Sequence, residues 1–356
     1  MSASPFNSVT KLHAATPVKC DPIVWLGQSA DTSSLCSTHA ELRQAPFLTS
    51  LGCAIRRPSL QRTHFNERLR ATLGLTGPLM LDSGGFALSN KPNSRWTVST
   101  VGDFVERIDA DIFVTLDLPP RLRDSATQRR KKILSSVTNF EILLERFPKK
   151  TIMPVVHGRN ISEVELSVGL LAQSAPTLKW VGLGGMVPLL QHRNACGLTT
   201  SPEIFIARAL ALLRTAFPRS KIHVFGAGGT RTFPTVFALG ADSGDSIGWR
   251  QAAGYGSIFL PMKSQRTVKW NGEKRPPRKL LDASDLLQIE NCRCPACRGH
   301  TIEKRIDAFR RHFYSRSIHN AWTIMNQWQF WPRSRRELLC AISDGALGTN
   351  WAKAIN

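Results

Sequence analysis

Short apolar runs, each closed by a glycine or a polar residue, recur along the first two thirds of the chain: 23–27, 79–82, 112–117, 152–158, 180–185 and 222–226. Runs this short, apolar at successive positions and rich in Val and Ile, predict strands buried on both faces, as in a parallel sheet. Helical periodicity lies between several of them. Residues 138–147 place Phe140, Leu143 and Leu144 on one face, and 162–173 carry Val164, Leu166, Val168, Leu170 and Leu171. Ser201-Pro202-Glu203 reads as a helix opening, with a cap, a proline in the first turn and an acid at the positive end of the dipole. Strands alternating with helices make βαβ units, and at least six such strands over about 250 residues fit a (β/α)8 TIM barrel. A doubly wound open sheet has the same periodicity.

The pattern breaks after Pro261. A basic, proline-containing segment (263–279) precedes a cluster of cysteines, a helical stretch (302 to about 329) and a tail rich in Trp and basic residues. The expected organisation is a barrel over 1–280, a zinc-binding helical subdomain over 281–330 and a tail over 331–356. The sequence has no apolar run of 18 or more residues and no signal-peptide pattern at its start, so a cytoplasmic protein is expected.

Charge narrows the partner. With 47 Lys+Arg against 26 Asp+Glu, the formal net charge is +21. That excess favours a polyanion, because each neutralised phosphate releases condensed counterions. A membrane surface would call for a basic helix with a bulky apolar face, and none is visible. Nucleic acid is the expected partner. Two basic zones could follow its backbone: Arg121, Arg123, Arg129, Arg130, Lys131 and Lys132 after one strand end, and Lys263, Arg266, Lys269, Lys274, Arg275, Arg278 and Lys279 before the cysteines.

Of the eight cysteines, Cys292, Cys294 and Cys297 crowd into one loop while the rest are scattered, which points to metal rather than disulfides. Three thiolates need a fourth ligand to complete tetrahedral zinc, and His300, His312 and His319 are available downstream. Four protein ligands close the site, making the zinc structural. Catalytic groups of a parallel barrel sit where strands end, and here those ends offer Asp82, Asp117, His157, Gly184-Gly185 and the Asp242–Ser246 cluster. Two carboxylates can divide a displacement at an anomeric carbon between nucleophile and proton carrier, which points to glycosyl transfer or hydrolysis.

These segments together resemble the tRNA-guanine transglycosylase superfamily. Asp82-Ser83-Gly84-Gly85-Phe86 is similar to its D-S-G-G-F/Y motif, Val156-His157-Gly158 to V-Q-G, and Gly182–Met186 to its I-G-G-L loop. His223–Gly228 resembles the strand and turn ahead of the nucleophile, and Ala241–Ser246 the archaeal D-x-F-D-S pattern. Cys292, Cys294, Cys297 and His319 match the family's zinc set in type and order. The resemblance implies Asp245 as nucleophile, with Asp242 its nearest rival, and Asp82 as proton carrier. It further implies Ser83, Asp117, His157, Gly184 and Gly185 around the base, a 7-deazaguanine as the incoming base, and a possible homodimer.

The chain departs from the pattern at Ala87 and His157, where Gln is usual, and the loop at 185–188 lacks an acidic extension. No archaeal-type RNA-binding extension follows the zinc segment, and 246–256 is closer to the DpdA group of paralogues, which insert 7-deazaguanines into DNA. The expectation is therefore exchange of guanine for a preQ0-type base, on DNA ahead of tRNA. A queuosine- or archaeosine-type tRNA enzyme, a retaining glycosidase and a non-catalytic nucleic-acid-binding subunit are the alternatives. Reaching the sugar of a duplex nucleotide would require its base to leave the stack.

Overall fold

The computed structural model describes residues 22–30, 32, 35–90, 96–121, 123–175, 177–186, 201–269, 279–332 and 334–355. Nine strands form one sheet: β1 (Ile23–Gly27), β2 (Phe47–Ser50), β3 (Leu79–Asp82), β4 (Ile112–Val114), β5 (Ile152–Met153), β6 (Val155–Val156), β7 (Trp180–Leu183), β8 (Lys221–Val224) and β9 (Ser243–Ser246). Their order is β5-β4-β3-β2-β1-β9-β8-β7-β6, and every neighbouring pair is parallel. The two ends of that order, β5 and β6, are halves of one chain segment interrupted at Pro154, which has no N–H to donate. The ring is thus completed through the chain itself, and the architecture is the expected (β/α)8 barrel rather than an open sheet.

Side-chain alternation divides the core in two. Trp25, Leu48, Met80, Ile112, Val114, Met153, Val155 and Trp180 fill the barrel interior, where Trp25 and Trp180 meet edge to face with centroids 6.3 Å apart. Their sequence neighbours, among them Val24, Leu26, Phe47, Leu79, Leu81, Phe113, Val181, Ile222 and Val224, pack outward under the helices. Burial on both faces explains why most strands read as continuous apolar runs.

Two strands have no such signature. β2 was not anticipated, and β9, Ser-Gly-Asp-Ser, contains no large apolar residue, although β1 pairs with it over Ile23–Leu26. Its Gly244 is covered by the Phe233 ring, which a Cβ there would approach to 3.0 Å, so a larger side chain would need the ring to give way. Helix boundaries also differ. The helix expected over 138–147 spans Ala126–Arg146, started by a capping box between Ser125 and Gln128. The stretch after 302 is two helices, Ile302–Arg311 and Phe313–Asn326, parted at His312, whose backbone is extended.

The helix Gly248–Gly254, directly after β9, packs against Phe313–Asn326, and Asn320 fastens that contact. Its amide donates to Trp249 O and Ser257 O, and its carbonyl oxygen accepts from Phe259 N. Residues 335–355 form two helices, Arg335–Ser343 and Thr349–Ile355, that pack on the barrel helices Thr232–Ala238 and Pro202–Ala216. Trp331 lies against Phe233 and Phe237. No helix among the described residues is long and apolar enough to cross a membrane.

Candidate active site and metal centre

Residues at the upper ends of β2, β3 and β9 and just beyond β4, β6 and β7 build the candidate site. Asp82 closes β3, opposite Ser50 at the end of β2. Ser50 Oγ donates to Asp82 Oδ2 at 2.5 Å, and Gly84 N–H reaches the same oxygen at 3.3 Å. The following turn requires glycine twice. Gly84 has φ +84°, and a Cβ there would lie 2.7 Å from Gly52 N; a Cβ on Gly85 would overlap Asp117. The turn also sets Ser83 Oγ 3.3 Å from Asp117 Oδ1, while Phe86 stands 57% exposed.

Asp117 is buried, and both of its oxygens are occupied. His157 Nε2 donates to Oδ2 at 2.7 Å, opposite the Ser83 contact at Oδ1. The His157 ring lies beneath Gly184, where a Cβ would come within 2.3 Å of the ring. Gly185 adopts φ +78°. The structure therefore brings Ser83, Asp117, His157, Gly184 and Gly185 together, with one His157 nitrogen committed to Asp117. Val187 and Pro188 of the adjoining loop lie outside the described residues.

Asp245, inside β9, is held by a backbone amide: Gly226 N–H donates to Oδ1 at 2.6 Å. Gly226 has φ +72°, and the turn it makes also joins Gly228 N to Asp245 O at 2.9 Å. His223 Nε2 lies 3.3 Å from the same Oδ1. Burial pushes the Asp82 carboxyl up, the Asp117 charge adds to this, the Ser50 hydrogen bond opposes it and the Asp245 charge raises it further, to about 7. Asp82 is therefore poised to carry a proton near neutral pH, within electrostatic reach of two other carboxylates.

Asp242 has a different setting. It accepts from Arg214 Nη2 at 2.6 Å, Arg335 Nη2 at 3.1 Å and Ile222 N at 2.8 Å, at the opposite end of β9. The sequence pattern assigns no task to Ser50, His223 or Gly226. Ser50 was missed because its strand was missed; the short run Phe47-Leu48 gave little signal.

The second cluster lies in the C-terminal region. Cys292, Cys294, Cys297 and His319 offer ligand atoms all within 4.8 Å of one another. The three Sγ···Nδ1 distances are 3.6, 3.5 and 3.7 Å. A zinc tetrahedron with Zn–S about 2.3 Å and Zn–N about 2.05 Å has S···N edges of about 3.6 Å, so the donor set fits. His319 Nε2 donates to Phe259 O at 2.9 Å, which leaves Nδ1 as the ligand atom. Arg305 fastens the loop by donating to the carbonyls of Ile289, Glu290 and His300. The two other candidate ligands, His300 and His312, are not part of the cluster.

The basic zones are only partly available to phosphate. Arg129 pairs with Glu163 and Lys132 with Asp124, while Arg123, Arg130 and Lys131 are exposed. Lys263 and Arg266 converge on Asp285, and Arg266 is 3% exposed, so these two serve the fold. Lys279 lies 3.6 Å from Asp282, and Lys269 is exposed; Lys274, Arg275 and Arg278 lie outside the described residues.

Residues 36–329 match the family described as queuine tRNA-ribosyltransferase. The chain is also similar to proteins named tRNA-guanine(15) transglycosylase. It is 26% identical over 255 residues to that of Methanosarcina mazei, covering 70% of this chain and 46% of the relative. The figures for Pyrococcus abyssi are 25% over 257 residues, 72% and 39%, and for Archaeoglobus fulgidus 27% over 260 residues, 69% and 46%. The chain thus matches over about half the length of these relatives or less.

Proposed function

The chain belongs to the queuine tRNA-ribosyltransferase family, and from that premise we propose that it exchanges guanine in a nucleic acid for a 7-deazaguanine through a covalent intermediate on Asp245. One observation carries the reading. Asp245 has one carboxylate oxygen tethered to Gly226 N–H, while Asp82, which feels its charge, is held near neutral pH. Two carboxylates with such different environments divide naturally into nucleophile and proton carrier.

In the first half-reaction Asp245 Oδ2 bonds to the anomeric carbon as the bond to guanine breaks, and the departing base takes the Asp82 proton. In the second, a 7-deazaguanine gives its proton to Asp82 and attacks the same carbon, releasing Asp245. Two inversions retain the sugar configuration. Asp117 accepts from the donor edge of the base; Ser83 and His157 fix its orientation, and Gly184 and Gly185 let backbone approach the ring. Cys292, Cys294, Cys297 and His319 would hold a structural zinc, which ties the loop to the helix Phe313–Asn326 and takes no part in the chemistry.

For the polymer, DNA is the first reading, supported by the resemblance of residues 246–256 to DNA-modifying paralogues. tRNA is the second, favoured by the names of the relatives. A homodimer is the proposed assembly, checked by light scattering. Incorporation of labelled guanine into duplex DNA and into tRNA tests the function. Label entering one polymer, and chased out by a 7-deazaguanine, is the expected outcome. Label entering neither, with the protein folded, would leave a binding protein.

A further inference from the structure

His223 is fully buried inside the barrel beneath the nucleophile candidate, on β8 next to β9. Its Nδ1 is 2.8 Å from Ser243 Oγ, and its edge meets the Phe225 ring. Its Nε2 has no properly aligned hydrogen-bond partner among the described residues, and lies 3.3 Å from Asp245 Oδ1. A ring N–H at this distance from a carboxylate oxygen in a buried site acts on its charge even where the hydrogen bond is poorly aligned. When the Ser243 hydroxyl donates to Nδ1, the remaining ring proton sits on Nε2 and faces Asp245. The Gly226 N–H already fixes the same Oδ1.

The geometry points to His223 as a positioning residue that governs how readily Asp245 leaves the sugar, an inference that rests on the proposed role of Asp245 as nucleophile. With Oδ1 tethered by Gly226 and faced by His223, Oδ2 is the oxygen that bonds to the anomeric carbon. In the glycosyl ester Oδ1 is a carbonyl oxygen with little charge. When the incoming base attacks, the C–Oδ2 bond breaks, its electron pair returns to the carboxylate, and charge reappears on Oδ1. A donor on Oδ1 therefore stabilises the free carboxylate more than the ester. Removing it slows release of Asp245 and shifts the balance toward the covalent state. Hydrogen bonds to charged groups have a net worth equivalent to about a tenfold change or more in such an equilibrium.

The experiment compares the wild type with His223→Phe, which keeps an aromatic ring without a donor, and His223→Gln, whose amide offers a donor near the Nε2 position. Each is incubated with guanine-containing nucleic acid and free guanine, and the denaturation-resistant adduct is measured alongside turnover. The expected result is an adduct-to-free ratio about tenfold higher in H223F with turnover lowered, and both values returned toward wild type in H223Q. A loss of adduct and turnover together in H223F, with H223Q no better, would mean that the ring only supports packing and would overturn the inference. An unchanged ratio in a folded H223F would overturn it equally. Absence of adduct from the wild type would instead strike at the nucleophile reading itself, so the two failures are distinguishable.

Discussion

Asp242, at the lower end of β9, accepts from Arg214 Nη2 at 2.6 Å, Arg335 Nη2 at 3.1 Å and Ile222 N at 2.8 Å. Asp245, near the upper end, is met by a backbone amide at 2.6 Å and an imidazole nitrogen at 3.3 Å, and by no guanidinium among the described contacts. A carboxylate clamped by two cations is fixed in charge and position and makes a poor nucleophile. One held by a single oxygen keeps the other available. Two aspartates three positions apart, Asp242 just ahead of β9 and Asp245 inside it, thus receive different settings, one clamped by cations and the other tethered through a single oxygen. Arg335 extends the structural end, because the helix Arg335–Ser343 that carries it packs on the barrel beyond the family match at residue 329.

Substitution of each aspartate by asparagine gives the sharpest break. Asp245→Asn should lower exchange on the order of 10⁴-fold or more while leaving thermal stability close to wild type. Asp242→Asn should retain exchange within a few-fold, yet lose roughly 2–3 kcal/mol in denaturant unfolding by leaving Arg214 and Arg335 short of their partner. The reverse pattern would invert the assignment of the two ends.

Asp82 extends the comparison to charge. Asp82→Asn should cost about 10²–10⁴-fold in exchange, the range for lost general acid–base help. In the wild type, the single-turnover rate of adduct formation should fall as pH rises through about 7, because the leaving base needs the protonated carboxyl. A profile flat from pH 6 to 8.5 would remove Asp82 from that role.

The Cys292, Cys294, Cys297 and His319 cluster provides a third contrast, since as the four ligands of a closed site they would serve structure. Cys294→Ser should abolish stoichiometric zinc and lower stability by several kcal/mol, read as a fall in melting temperature, because a bound metal would knit a loop to a helix. Retention of one zinc per chain at unchanged stability would contradict the ligand set.

The smallest effect concerns the cost of holding Asp82 ready. Its raised carboxyl contributes full stability below its unfolded value near 4 and loses that contribution as pH rises through about 7. Asp82→Asn should therefore be more stable than wild type at pH 8, by up to about 4 kcal/mol less what the lost Ser50 contact costs, with the difference fading toward pH 4. Equal stability at both pH values would mean that the site stores no such strain.

Much of the fold was legible because burial on both faces writes itself as apolar runs, from Ile23–Gly27 to Lys221–Val224. β9 was hidden because its inward positions are Ser243 and Asp245 and its outward Gly244 makes room for Phe233. β9, which carries the nucleophile candidate, is thus, like β2, a strand that packing could not announce. The metal ligands were readable from spacing as far as the three cysteines, and the geometry selects His319 through its contact with Phe259 O. Ser50 and the alignment of His223 are contacts across neighbouring strands, which only the barrel's register brings together. The charge excess was visible, but the use of Lys263 and Arg266 on Asp285 depends on a fold in which those residues meet.

The most direct test of the central claim is to trap the protein on guanine-containing DNA and on tRNA, digest the adduct, and locate the modified residue by mass spectrometry. The account predicts a sugar-linked nucleic acid on Asp245, present in Asp242→Asn and absent in Asp245→Asn. An adduct on Asp242, or an adduct that persists in Asp245→Asn, would contradict it.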